Sequence, residues 1–392
     1  MTSNRLPDSL DALFRPAVEA GHIPGVVMGV ASSDRVLYQG AFGKKSSDGM
    51  AELELDAVFN IASMTKPITG VAVMQLVEAG VVDLDEPLGR FIPYLESIQV
   101  LEGFDEQNRP QLRTPSRAVT LRHLLTHTSG FVYEMWNGDI RKFQEITGHP
   151  KMPSGKLEAL RVPLMFDPGT RWEYGVGIDW AGLVLEAVTG TTLSDYMQQN
   201  ILSPLEMHDT TYTPTPDIEQ RLVPVHQRLA GQDFKVSQLR PDLSREYYGG
   251  GAGLYSTISD YLRFCRMILN QGELDGNRIL SPETVGLMSR NAMGPNRVQP
   301  LPSFDAVISN DAEFFPGIEK TWGLTFLINE EATFTGRSRG SLSWGGIFNT
   351  FFWIDHSRDS AGVFLTQISP WVDKVALPLF ESFESVVNEV EP

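Results

Sequence analysis

The sequence predicts an α+β fold: an antiparallel sheet flanked by helices, made from the two ends of the chain, with a mainly helical lobe inserted between them. Three observations carry this reading. Near the N-terminus, Gly25-Val-Val-Met-Gly-Val-Ala and Arg35-Val-Leu-Tyr-Gln-Gly-Ala-Phe-Gly are apolar runs around Ser32-Ser33-Asp34, a hairpin signature. Near the C-terminus, residues 322–329, 341–345, 350–355 and 361–367 read as three or four strands on short turns. From about 80 to 300 the chain is mostly helical segments and long loops punctuated by Pro and Gly. Residues 1–80 and 300–392 therefore form the sheet lobe and 81–299 the helical lobe, with a cleft between them.

The flanking elements follow from periodicity. Residues 8–20 have the pattern of an amphipathic helix. A closing helix is expected from about Trp371, with Val375, Leu379, Phe383, Val387 and Val390 on one side. From Ile68, the residues Val71, Ala72 and Leu76 recur at helical spacing while Val73, Met74 and Val77 fill other faces, so this helix is expected to be buried on most sides. A length of 392 residues exceeds what one simple core usually holds, in keeping with two lobes.

Composition excludes several classes of function. A net charge of −17 argues against nucleic acid and anionic membranes as partners. No run of apolar residues is long enough for a membrane span. The N-terminal stretch contains acids and lacks a long apolar core, so a signal peptide is not expected and the location read from it is cytoplasmic. The single cysteine, Cys265, excludes an internal disulfide and sits in a helix-like stretch where core packing is its expected role. The seven histidines show no metal spacing, and neither a metal nor a cofactor is expected. His123 and His127, four apart, are expected to be hydrogen-bonded structural groups.

The chemistry is signalled first by Ser63-Met-Thr-Lys66, where an apolar strand-like run gives way to the buried helix. A serine hydroxyl needs a base to become a nucleophile. Residues three apart share a helix face, so Lys66 can reach Ser63 from one turn away. The helix start also places backbone N–H groups near Ser63, where an oxyanion would develop. A lysine on the first turn of a buried helix needs a polar purpose, because burying an unpaired ammonium is costly. Tyr174 is a second candidate, between the Asp167-Pro-Gly turn and a helix start. Trp344-Gly345-Gly346-Ile347 is a third, since two successive glycines let a backbone approach a ligand closely.

A Ser-x-x-Lys tetrad, a tyrosine further on and a glycine-rich strand near the C-terminus occur in the order of serine β-lactamase and penicillin-binding folds. The sequence resembles the class C β-lactamase-like superfamily, specifically its family VIII carboxylesterases and lovastatin-type acyltransferases. The resemblance runs through Ile23-Pro-Gly, Ser63 to Lys66, Gly80-Val-Val-Asp-Leu-Asp-Glu-Pro, Leu121 to Gly130, Asp167-Pro-Gly, Gly249 to Ser256 and Trp344-Gly-Gly346. Val100-Leu-Glu-Gly-Phe-Asp is especially like the acyltransferase branch. The resemblance implies that Ser63 is the acylated nucleophile and that Lys66 and Tyr174 share the proton transfer, with Tyr174 either an anionic base or one made basic by Lys66. It implies an oxyanion hole from the N–H groups of Ser63 and Ile347, with Trp344, Gly345 and Gly346 alongside the substrate.

Two departures bear on substrate. The tyrosine motif of class C enzymes is Tyr-x-Asn, but here it is Tyr174-Gly-Val176. The third motif, usually Lys-Thr-Gly, is Trp344-Gly-Gly346. A valine and a tryptophan suit an uncharged ester better than a β-lactam with its amide and carboxylate. The expected activity is thus a serine carboxylesterase acting on short-chain esters through an acyl-enzyme. The alternatives are acyl transfer to an alcohol, weak β-lactamase or D-amino-acid peptidase activity, and a non-catalytic binding protein, which the intact Ser63, Lys66 and Tyr174 disfavour. The expected partner is a small-molecule ester.

Gly336-Arg-Ser338-Arg-Gly340 also matches the lipase pattern Gly-x-Ser-x-Gly, but a β-like segment follows it where that elbow needs a helix. The one downstream histidine, His356, directly follows Asp355, so the two cannot easily serve as separate acid and base. The aromatics Phe131, Tyr133, Trp136, Tyr247 and Tyr248 could line an acyl pocket or pack in the core.

Overall fold

The computed structural model describes residues 5–229, 233–238 and 244–390. Strands β1 (Gly25–Ala31) and β2 (Val36–Gly43) form the N-terminal hairpin. The C-terminal part supplies β3 (Lys320–Trp322), β4 (Leu327–Asn329), β5 (Leu342–Gly346), β6 (Thr350–Asp355) and β7 (Ser360–Leu365). The sheet runs β3-β4-β5-β6-β7-β1-β2 and every neighbouring pair is antiparallel. Val27 stands opposite Leu365 and Ala31 opposite Ala361, so β1 joins the two chain ends. All of β1, β6 and β7 is buried, because both faces of the sheet are covered.

One apolar run reads differently in three dimensions. Residues 322–329 look like a single strand, but they fold as the β3–β4 hairpin, closed by Gly323 donating to the Phe326 carbonyl. Thr325 adopts φ 85° and Leu324 donates to the Met288 carbonyl. The turn is apolar because it is buried against residues from elsewhere in the chain, which hides it from a polarity pattern.

Five helices frame the sheet and the site: α1 (Arg5–Glu19), α2 (Thr65–Glu78), α3 (Gly177–Thr189), α4 (Ile258–Leu269) and α5 (Ala376–Val390). On one side of the sheet, Leu6, Leu10 and Phe14 of α1 meet Phe380, Phe383 and Val387 of α5 over Phe42 and Phe364. Helix α5 begins at Ala376 rather than near Trp371, because the Asp373 carboxylate accepts from the amides of Val375 and Ala376 and caps it. Its deepest positions are Ala376, Phe380, Phe383, Glu384 and Val387, while Val375, Leu379 and Val390 are only half-buried. On the other side lies α4. Its Tyr261 ring packs 5.4 Å from Phe352, and a Cβ on Gly29 of β1 would stand 2.7 Å from Leu262. Helix α4 falls within 81–299, yet it is part of the sheet's own layers. Cys265 is buried in it. Among the described residues no helix is long and apolar enough to cross a membrane.

Candidate active site

The chain enters the site through a short bridge, Phe59–Asn60 paired with Tyr255–Ser256. It then turns sharply. Ala62 adopts φ 43°, a left-handed conformation that costs free energy for a residue with a Cβ. Neighbours hold it there: the Asn60 side-chain oxygen accepts from the Ala62 amide at 3.0 Å, and Ile61 donates to the Leu254 carbonyl at 3.1 Å. A single 3-10 turn, Ala62–Met64, follows and carries the partly exposed Ser63. Helix α2 continues from it and buries its residues from Thr65 through Met74. The tetrad thus straddles a 3-10 turn and a helix, and the three-residue spacing still brings both groups together.

Lys66 Nζ lies 3.0 Å from Ser63 Oγ, 2.7 Å from the Gly251 carbonyl and 3.2 Å from Tyr133 Oη. Burial pushes this amine down to about 7, against the opposing pull of Asp179. A neutral amine has two N–H groups and one lone pair. The Gly251 carbonyl can only accept, so one N–H is committed there. The lone pair is then free to accept the Ser63 proton.

Tyr174 is 1% exposed. Burial pushes its phenol well up, while hydrogen bonds with Ser63 and Trp344 pull it partly back. Burial on balance favours a neutral resting phenol. Trp344 Nε1 donates to Tyr174 Oη at 2.9 Å. The Tyr174 ring packs against His127, Trp344 and Tyr133, with centroids 4.6, 4.9 and 5.3 Å away. Lys66 Nζ stands 4.8 Å from the Tyr174 ring centre, a contact that favours the ammonium when it forms.

The glycines flanking these groups are needed for close approach. A Cβ on Gly346 would lie 2.4 Å from the Ile61 carbonyl oxygen, so only glycine lets the 344–347 segment reach the turn before Ser63. A Cβ on Gly175 would lie 2.0 Å from the Phe131 carbonyl oxygen, and that contact seats Tyr174.

The structure brings Ser63, Lys66, Tyr174 and Trp344 into one hydrogen-bonded cluster. It also adds groups to which the sequence assigned no such role. Tyr133, read from the sequence as a pocket wall or a core aromatic, touches Lys66. Asp179, at the start of α3, accepts from the Gly251 amide at 3.0 Å. The signal for Gly251 was the Gly249-Gly-Gly run; nothing local marked Asp179. The other aromatics divide. Phe131 stacks on Trp180 in the core, Trp136 packs on Tyr174, and Tyr248 packs on Tyr212. His127 accepts from the Gly175 amide through Nδ1 at 3.3 Å, and His123 caps a helix with Thr120. Among the described residues no cluster of His, Cys, Asp and Glu could hold a metal ion.

Ser338 stands apart from this cluster. Its amide donates to Asp355 Oδ2 at 2.7 Å in the connection between β4 and β5, with a strand and not a helix after it. His356 contacts the Ile268 carbonyl. The neighbouring Arg337 points inward to Glu384, so this pentapeptide anchors α5.

Fold and site together define a serine acyl-transfer enzyme of the β-lactamase and penicillin-binding type. The chain belongs to the Beta-lactamase family, which it matches over residues 10–380. It is 32% identical to "Monacolin J acid methylbutanoyltransferase" of Aspergillus terreus, over 96% of this chain and 94% of that one. It is 33% identical to "Lovastatin esterase" of Penicillium rubens, over 90% and 91% of the two chains. Among solved structures, "Simvastatin Synthase (LOVD), from Aspergillus Terreus, LovD6 mutant" superposes with a TM-score of 0.85 at 29% identity, covering 98% of this chain and 97% of its own. The protein is accordingly a β-lactamase-fold enzyme of the ester-hydrolysing and acyl-transferring group.

Proposed function

We propose that the protein hydrolyses short-chain carboxylic esters through an acyl-enzyme on Ser63, with Lys66 as the base and Tyr174 as the proton relay. The observation that carries this is the Lys66 amine, buried, held to about 7 and 3.0 Å from Ser63 Oγ. In the acylation step, Ser63 Oγ bonds to the ester carbonyl carbon as its proton passes to Lys66. The carbonyl electron pair moves to oxygen, where the amides of Ser63 and Ile347 would receive it. Collapse breaks the bond to the alcohol oxygen, and the proton returns from Lys66 through Tyr174 to that oxygen. Trp344 Nε1 steadies the Tyr174 oxygen while it is short of a proton. Water then repeats the sequence on the acyl-enzyme and Ser63 regains its proton. In this reading the substrate cleft runs between the Trp344–Ile347 end of β5 and the segments carrying Tyr133 and Tyr174.

Acyl transfer to an alcohol in place of water is the second reading. It is favoured by the methylbutanoyltransferase relative, which covers nearly the whole chain. Slow β-lactam turnover goes with both readings. Val176 offers no amide, and the indole N–H of Trp344 is already directed at Tyr174.

The test is intact-mass analysis after mixing with 4-nitrophenyl butyrate. An adduct of one butyryl group is expected on the wild type and on Ser338→Ala, and none on Ser63→Ala. An acylated or active Ser63→Ala variant refutes the proposal. An alcohol series that raises turnover moves the assignment to acyl transfer. A cephalosporin kcat/KM equal to that of the butyrate ester refutes the substrate class.

A further inference from the structure

Asp179 is a buried acid to which the mechanism above gives no part. It lies in the first turn of α3, five residues after Tyr174, and is 2% exposed. Oδ1 accepts from the Gly251 amide at 3.0 Å, and Oδ2 is buried without a hydrogen-bond partner. The same glycine gives its carbonyl to Lys66 Nζ at 2.7 Å. Gly251 is therefore clamped between the acid and the amine. The clamp is tight: a Cβ there would stand 2.5 Å from Asp179 Oδ2 and 3.0 Å from Tyr133 Oη. An unpartnered buried carboxylate oxygen is costly unless a charge elsewhere offsets it. Burial leaves the Asp179 carboxyl above its ordinary value; Lys66 and the Gly251 amide pull it only part of the way back, and the start of α3 adds the positive end of a helix dipole.

We propose that Asp179 is a positioning residue for Lys66: its carboxylate fixes the Gly251 carbonyl that orients the amine, and it supplies the charge opposite the ammonium that forms when Lys66 takes the Ser63 proton. The inference rests on the reading of Lys66 as the base. Asp179 accepts no proton in the step; the proton stays on Nζ until Tyr174 passes it on.

The other groups facing Lys66 are Ser63, Tyr133, Tyr174 and His127. Burial holds His127 well below its ordinary value, so it is neutral, and burial keeps both tyrosines protonated. Tyr133, Tyr212 and Tyr247 surround Asp179, and burial pushes each of these phenols up. Arg245 acts on Tyr212 and Tyr247, and among the described residues Asp179 is the charge acting on Lys66.

The test is the pH profile of kcat/KM on a butyrate ester for the wild type and Asp179→Asn. An asparagine oxygen can still accept from the Gly251 amide, so the clamp survives and only the charge is lost. The base must be neutral, so activity falls as pH drops through the Lys66 pKa, and the wild-type acid limb lies near 7. Asp179 raises that pKa, so removing its charge moves the limb to lower pH, by about one unit or more. On the plateau kcat falls about tenfold, because the ammonium has lost its counter-charge, while KM holds because Asp179 does not face the cleft. A wild-type limb near 7 that Asp179→Asn leaves in place or moves upward overturns the inference alone. No such limb in the wild type, with full activity in Lys66→Met, overturns the base reading and the inference with it. If circular dichroism shows that the asparagine variant does not fold, Asp179→Ser, which also accepts from the amide, is read by the same criteria.

Discussion

Replacing Trp344 by phenylalanine isolates the hydrogen bond that stands where a charged lysine is usual in this fold. The indole Nε1 donates to Tyr174 Oη at 2.9 Å, and both rings are buried. In the resting enzyme this is a neutral bond worth about 1 kcal/mol. When Tyr174 hands its proton to the leaving oxygen, the phenolic oxygen carries negative charge and the same bond is worth about 1.5–3 kcal/mol. Only the difference, about 0.5–2 kcal/mol, speeds the chemical step. Trp344→Phe is therefore expected to lower kcat by about 2- to 30-fold. The smaller ring also opens space beside Trp322 and Phe314, whose centroids lie 4.7 and 5.7 Å away, and costs about 1–3 kcal/mol of stability. Urea denaturation measures that cost, and kinetics are then taken where both proteins are folded. The decisive comparison is the same substitution in a Tyr174→Phe background. There is no oxygen there to stabilise, so the kcat effect of Trp344→Phe must vanish. An equal loss in both backgrounds would show that the tryptophan acts through packing alone.

Two further outcomes follow from the packing. Gly346→Ala places a Cβ 2.4 Å from the Ile61 carbonyl oxygen and 2.4 Å from Thr350 Oγ1, so the strand must move away from the nucleophile turn. Steady-state assays should show kcat reduced by about 100-fold. Gly286→Ala, with open space at its Cβ, should be unaffected, and parity between the two variants would contradict the close-approach argument. Glu384→Ala leaves the Arg337 guanidinium buried without its ion-pair partner at 3.3 Å, a change of about 3–5 kcal/mol. Asp355, Glu381 and the Phe315 ring, 4.4 Å from the guanidinium, compensate in part and favour the lower figure. Urea denaturation should also show that Arg337→Met with Glu384→Leu regains most of the loss; a double variant no better than the single one speaks against a charge penalty.

What the sequence reveals about this site depends on how far apart the interacting residues lie. Ser63 and Lys66 are legible because one helical turn joins them, and the hairpin β1–β2 is legible because its two apolar runs and the polar turn between them are local. Tyr174 carries no local signal that separates it from a packing aromatic; only its place in a family order marked it. The contacts that give it a role arrive from Trp344, 170 positions away, and the Lys66 acceptor at Gly251 is 185 positions away. Asp179 was silent for the same reason, since it reaches Gly251 across 72 positions. The β3–β4 turn is hidden for a different cause. It looks like strand because a polarity pattern treats a run of apolar residues as regular structure. That assumption fails where a buried partner, the Met288 carbonyl, stands on the other side. The same principle governs the chemistry. Lys66 is an ordinary ammonium by composition, and in the proposed mechanism it serves as a base near neutral pH because α2, buried on almost every side, lowers its amine. Loosening that burial, without touching Ser63, Lys66 or Tyr174, should therefore raise the amine toward its solution value and cost activity at neutral pH.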